Sequence, residues 1–162
     1  MVRNCMEIGL NLQKIMQRLL ANQNLIKLLY YNNKNPLAEN DIPLDIVNKE
    51  IKSKLIKIVP YVDTKETANS IVAIRVEGGD INLINSEFKD ITIVVENFVP
   101  FTEWTIKDSN LRPFAIMGEI QKSLKDKSVN GLGKISGGDF SLNFLTTEVS
   151  CYQQVFKITS YD

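Results

Sequence analysis

The chain has 162 residues, 44% hydrophobic and 23% charged, with 19 basic and 19 acidic side chains, two cysteines and no histidine. That length suits one domain with its own core, and the composition excludes disordered, collagen-like and disulfide-dense classes. Without histidine there is no Ser-His-Asp or Cys-His catalysis, no histidine-ligated zinc or haem and no imidazole pH switch, and the balanced charge leaves no field for a polyphosphate backbone or an anionic membrane.

Met1 to Glu7 lacks the apolar run behind a basic start that a leader needs, and no stretch approaches the roughly 18–20 apolar residues of a membrane span. The protein is therefore expected to be cytosolic when made. Ile8, Leu12, Ile15, Met16, Leu19 and Leu20 recur at helical spacing and predict a helix from Glu7 to Ala21. Asn22 is a helix-capping residue, and Leu25 to Tyr31 forms a second, short apolar helix ending in the turn-rich Asn32 to Pro36. This pair is a helix-turn-helix only in the packing sense. Its second helix offers Leu, Ile and Tyr where a DNA reader would project basic and amide side chains.

Glu39 to Lys54 is polar, and Val47, Ile51 and Leu55 permit one or two further helical turns. The period then changes. Ile56 to Val62 is β-branched with Pro60 inside it, so it reads as an edge strand or strand entry. Ser70 to Glu77 is a strand, Gly78-Gly79-Asp80 a break, Gly79 to Glu87 a flap or surface loop, and Phe88 to Val99 a second strand. Phe98 to Asp108 is irregular and aromatic. Pro113 opens a helix to Lys125, proline being tolerated in a first turn, with Phe114, Met117, Ile120, Gln121 and Leu124 on one side and Glu119, Lys122 and Lys125 on another. Ser136-Gly137-Gly138-Asp139 reads as a hairpin turn before Phe140 to Phe144, and Cys151 to Thr159 is a closing strand. The fold expected is one α+β domain over 1–162, with 1–55 mainly helix and loop and 56–162 a mostly antiparallel sheet. The N-terminal helical segment and the helix near 113–125 cover one face of that sheet.

The candidate chemistry is sparse. Asn130-Gly131-Leu132-Gly133 and Gly137-Gly138 match neither a P-loop nor a dinucleotide fingerprint and read as turns. Asp80, Glu87, Asp90 and Glu96 surround the central hairpin. A nuclease strand would follow its glutamate with a lysine two residues on, whereas Glu96 is followed by Asn97 and Phe98. Cys5 and Cys151 lack the spacing of a metal or redox pair and are expected to be free and buried. The aromatics Phe98, Phe101 and Trp104 lack the interleaved Arg and Lys of a nucleic-acid platform, so Trp104 is either a core plug or a protein-interface anchor. A structural role is expected, with no enzyme activity, cofactor or metal. The bias toward 19 Ile, 16 Asn and 15 Lys against 4 Arg suggests an AT-rich genome.

The run from Trp104 to Ile120, with Asn130 to Gly133, the terminal strands and the opening Leu19 to Tyr31, resembles small neck proteins of tailed bacteriophages, and most of all the tail-terminator or tail-completion family. That resemblance implies a virion protein forming a ring, commonly sixfold, that ends the tail tube and joins the head connector. Its partners would be other copies, the tail tube protein and the head-closure or connector protein, with no membrane and no sequence-specific nucleic acid. On this reading the contact residues are Phe101, Trp104, Asp80, Asn82 and Asn85. The alternatives are a head-closure or adaptor component, or a small phage metal-dependent nuclease built on Asp90 and Glu96.

Overall fold

In the computed structural model, residues 5–66, 69–81, 89–129 and 133–160 are described. Helix α1 (Cys5–Leu20) and helix α2 (Gln23–Tyr30) follow one another with a single tight break. There Asn22 caps α2, its side-chain oxygen accepting from the Leu25 N–H at 3.1 Å. Ile15, Met16 and Leu19 of α1 and Leu25, Ile26, Leu28 and Leu29 of α2 are buried together, as the helical spacing requires. A short helix α3 (Leu44–Ile46) continues into a widened turn over Val47–Ile51. Helix α4 (Arg112–Leu124) is the crossing helix.

Six strands follow the order β1-β2-β3-β6-β5-β4. They are β1 (Ile56–Ile58), β2 (Ile71–Ile81), β3 (Lys89–Pro100), β4 (Ser128–Val129), β5 (Gly133–Leu145) and β6 (Val149–Ser160). Every pairing is antiparallel except β1 with β2, so the α+β single-domain expectation holds, with β1 as the edge strand that Pro60 predicts. Across the sheet Ile56 lies level with Val72, Asn97 and Tyr152. One further pair along, Gln154 donates from its Nε2 to the Met117 carbonyl of α4 at 3.3 Å, which marks this as the face under the helices. On the reverse face Ala73, Val94, Phe98 and Cys151 are buried, and Val62 is buried in the segment that follows β1.

Three expectations fail, each for a physical reason. Gly78-Gly79-Asp80 does not break the strand: β2 runs through it to Ile81, with a bulge between Val76 and Gly78 that absorbs the irregularity. Gly137-Gly138 is likewise no hairpin turn but a bulge within β5, and the hairpin lies further on, where the Thr146 N–H and hydroxyl both bond the Val149 carbonyl. The faces of α4 also differ from the simple helical count, because the helix is packed by α1 and α2 as well as by the sheet. Glu119 is buried, whereas Phe114 stays partly exposed. Asn22 Nδ2 donates to Glu119 Oε2 at 3.1 Å, and Lys122 pairs with Glu119 Oε1 at 2.6 Å.

Candidate interaction surface

The five residues expected at an interface fall in different places. Phe101 opens the turn after β3 and is 41% exposed, with its ring centroid 5.3 Å from that of Trp104. Asp80 pairs in register with Asp90 near the opposite end of β3. Ten residues of strand separate Asp90 from Pro100, about 34 Å at ~3.4 Å per residue, so the structure does not join the two candidate regions. Asn82, Asn85 and most of the expected Gly79 to Glu87 flap lie outside the described residues.

Around Trp104 the sequence reading names too few rings. Trp104 lies 6.3 Å from Tyr152, Tyr152 lies 5.2 Å from Phe114, and Phe114 lies 6.4 Å from Phe140, all between ring centroids. With Phe101 they form a continuous aromatic stripe from the β3 turn, past the start of α4, to β5. The ring planes are tilted or edge-on, the arrangement aromatic pairs favour. Trp104 and Tyr152 within the stripe are half-buried, while both ends, Phe101 and Phe140, are exposed. In the sequence Tyr152 stands out only as a residue of the closing strand, and Phe114 only as one of the side chains sharing a side of the crossing helix.

A buried arginine sets the stripe in place. Arg112 is fully buried at the start of α4. Its Nε donates to the Glu103 carbonyl at 2.8 Å, and its main-chain N–H donates to the Trp104 carbonyl at 2.8 Å. Its Nη1 donates to the carbonyls of Leu28 and Tyr31, and its Nη2 to that of Asn33 at 2.7 Å. One guanidinium thus satisfies carbonyls at the C-terminal end of α2, where the helix leaves acceptors unpaired and its dipole favours a cation. Burial pushes its pKa down from the ordinary value, and the Glu103 carboxylate acts in the other direction. Glu103 is itself buried and accepts from the Ser70 hydroxyl at 2.8 Å.

The reverse face holds the remaining chemistry. Glu96 pairs with Arg75 Nη1 at 2.8 Å and accepts from Asn143 Nδ2 at 2.6 Å. Asp90 and Glu96 point to the same side of β3 but stand six residues apart, about 20 Å along the strand. Ligands of one metal ion must all approach within roughly 2.0–2.6 Å, so this pair does not form a shared metal site. No group of three or more Cys, Asp or Glu among the described residues is placed to hold an ion.

Cys151 is free and completely buried beside the Glu96–Arg75 pair, as expected, while the surroundings of Cys5 lie outside the described residues. Burial, then the Glu96 charge, pushes the Cys151 thiol up to about 12 from an ordinary 9.0. Folding therefore favours the protonated thiol. That contribution is complete below about pH 9 and is lost as pH rises toward 12. Unfolding free energy measured across this range should fall more steeply in the wild type than in Cys151→Ala, and thiol reagents should label Cys151 only as the protein opens.

A family model, YomW, matches residues 22–158, which takes in both the stripe and the arginine that holds it. The chain belongs to the YomW family. The family name is phage-derived, of the SPbeta prophage type, and places this YomW chain among phage-associated proteins. No curated protein matches the sequence. Among the described residues of this YomW chain, no helix is long and apolar enough to cross a membrane.

Proposed function

We propose that the protein is a structural component of a tailed-phage virion, forming a ring at the head-tail junction that ends the tail tube and joins it to the head connector. The observation that carries this reading is the aromatic stripe. In a phage-associated chain, five rings lie in contact across one side, and the two outermost are open to solvent. Aromatic residues of this kind anchor protein interfaces because they bury a large area with few rotatable bonds. The balanced charge suits ring closure, which joins complementary patches rather than one field. On this reading the protein has no catalytic role, cofactor or metal. Its partners are further copies, the tail tube protein and the connector-side ring.

Phe101→Ala and Trp104→Ala test the proposal. Both variants should keep the wild-type circular dichroism spectrum and lose assembly, read as the mass of the native complex and as incorporation into particles. Loss of fold in Trp104→Ala would make that residue core, and Phe101→Ala, at a more exposed ring, would then decide. Normal assembly by a folded Phe101→Ala protein, or absence of the wild-type protein from the virion, overturns the reading. Binding of the isolated protein to the portal-side ring but not to the tail tube would make it a head-closure component instead.

A further inference from the structure

We propose that the free edge of β5, from Asp139 to Leu145, pairs with the same edge of a second copy of this chain, the two strands running antiparallel about a two-fold axis at Leu142. On its inner side β5 is paired with β6 along its length. On its outer side β4 pairs only with Gly133 and Lys134. The turn between α4 and β4 bonds Ile135 through Asp126 and Lys127, and Gln121 Nε2 donates to the Gly138 carbonyl at 3.3 Å. Beyond Gly138 the outer edge has no strand beside it among the described residues. The occupant that satisfies a row of alternating N–H and C=O groups is an extended strand.

The side chains say whose strand it is. Free edges are ordinarily guarded by lysine, proline, an inward-pointing charge or a bulge; Phe140 to Leu145 has no charge and no proline, and only the bulge between Leu142 and Phe144 interrupts it. A two-fold pairing sets the centre of the strand against itself, so any charge there would face its own kind and repel. An uncharged centre is what self-pairing requires, and the apolar side chains Phe140, Leu142 and Leu145 supply a matching surface on both copies.

The register agrees. Phe140, Leu142 and Leu145 lie beside Gln154, Tyr152 and Ser150, and the bulge between Leu142 and Phe144 restores Leu145 to the helix-side face. With the axis at Leu142, Leu142 meets its own copy and Phe140 meets Leu145. These three are 60%, 47% and 56% exposed. At about 200 Å² for a large side chain they supply roughly 300 Å² of apolar surface per copy. For the two copies together that is roughly 600 Å², below the ~1,200 Å² of a standard stable interface, so the dimer is a weak, concentration-dependent one.

A two-fold contact closes on itself and does not build a ring. This contact therefore differs in symmetry from the one assigned to Phe101 and Trp104 at the other end of the stripe, and Phe140 borders both surfaces. The test uses the whole protein. Light scattering over a dilution series should show a concentration-dependent doubling of mass, and Leu142→Lys should lose that doubling with an unchanged circular dichroism spectrum. Leu142→Cys should form a disulfide-linked dimer on mild oxidation, because a residue on the axis faces itself, while Lys54→Cys at a distant exposed site should not. A wild type that is monomeric at every concentration overturns the proposal. So does a dimer that survives Leu142→Lys in a folded protein, or one that Leu142→Cys fails to cross-link. Rings without the Leu142→Cys cross-link would refute this contact alone, and cross-linked dimers that never enter a virion would refute the ring alone.

Discussion

Replacing Arg112 with methionine is expected to cost about 3–5 kcal/mol of folding stability, the range for breaking a buried charged network by removing one partner. The side chain is fully enclosed, and its donors serve four separate carbonyls, those of Leu28, Tyr31, Asn33 and Glu103. Methionine fills similar space but donates nothing. The end of α2 would then keep unpaired acceptors, and the buried Glu103 carboxylate would lose its cation. Lysine preserves the charge but does not reproduce the planar fork that reaches in several directions at once, so Arg112→Lys should recover only part of the loss. Urea denaturation of the three proteins measures this. Since small proteins are stable by only about 5–15 kcal/mol, the methionine variant should be close to unfolded at 37 °C. An Arg112→Met midpoint near that of the wild type would show that the guanidinium is not the tie between α2, the Trp104 turn and α4.

Gly137→Ala should be the next most damaging change, at about 3 kcal/mol. Gly137 sits in the β5 bulge at φ +95°, which an L side chain rarely adopts, and a Cβ there would stand 2.7 Å from the Val155 carbonyl oxygen. Strained backbone costs about 1–3 kcal/mol. The clash with main-chain oxygen adds to it, because β6 is held in the middle of the sheet and cannot retreat. Gly9→Ala is the control. Gly9 lies in α1 with open space where its Cβ would go, so alanine should stabilise by roughly 0.5–1 kcal/mol through helix propensity. Denaturation midpoints moving in opposite directions for the two variants would check both; a neutral Gly137→Ala would mean the bulge is plastic.

The same glycines show where sequence reasoning stops. Spacing places α1, α2 and α4, since burial on one face leaves a periodic mark, whereas β3, buried on both faces, is marked by its continuous apolar and β-branched run. Gly137-Gly138 carries a local signal for unusual backbone, but a turn and a bulge ask for the same residue. Only the partner strand β6, running past without a reversal, decides between them. Arg112 is hidden for a different reason: before a proline at a helix start it looks like an ordinary solvated arginine, and three of its acceptors lie about 80 residues earlier. Phe101 and Trp104 stand out because they cluster in sequence. Phe114, Tyr152 and Phe140 join them only through the fold, from three separate elements.

The strand order carries a consequence for how the molecule forms. β3 pairs with β6 along its whole length, Lys89 opposite Ser160 and Pro100 opposite Val149, so the central seam joins segments some 50 to 70 residues apart. Closing such a seam requires a long loop to be ordered first, which places this fold among the slower, topologically complex ones. Until β6 has left the ribosome, β3 has an apolar edge with no neighbour, exposing a nascent intermediate to pairing with the wrong strand. In refolding experiments, protein concentration should therefore lower the yield, and chaperone demand during synthesis should track the delay between β3 and β6.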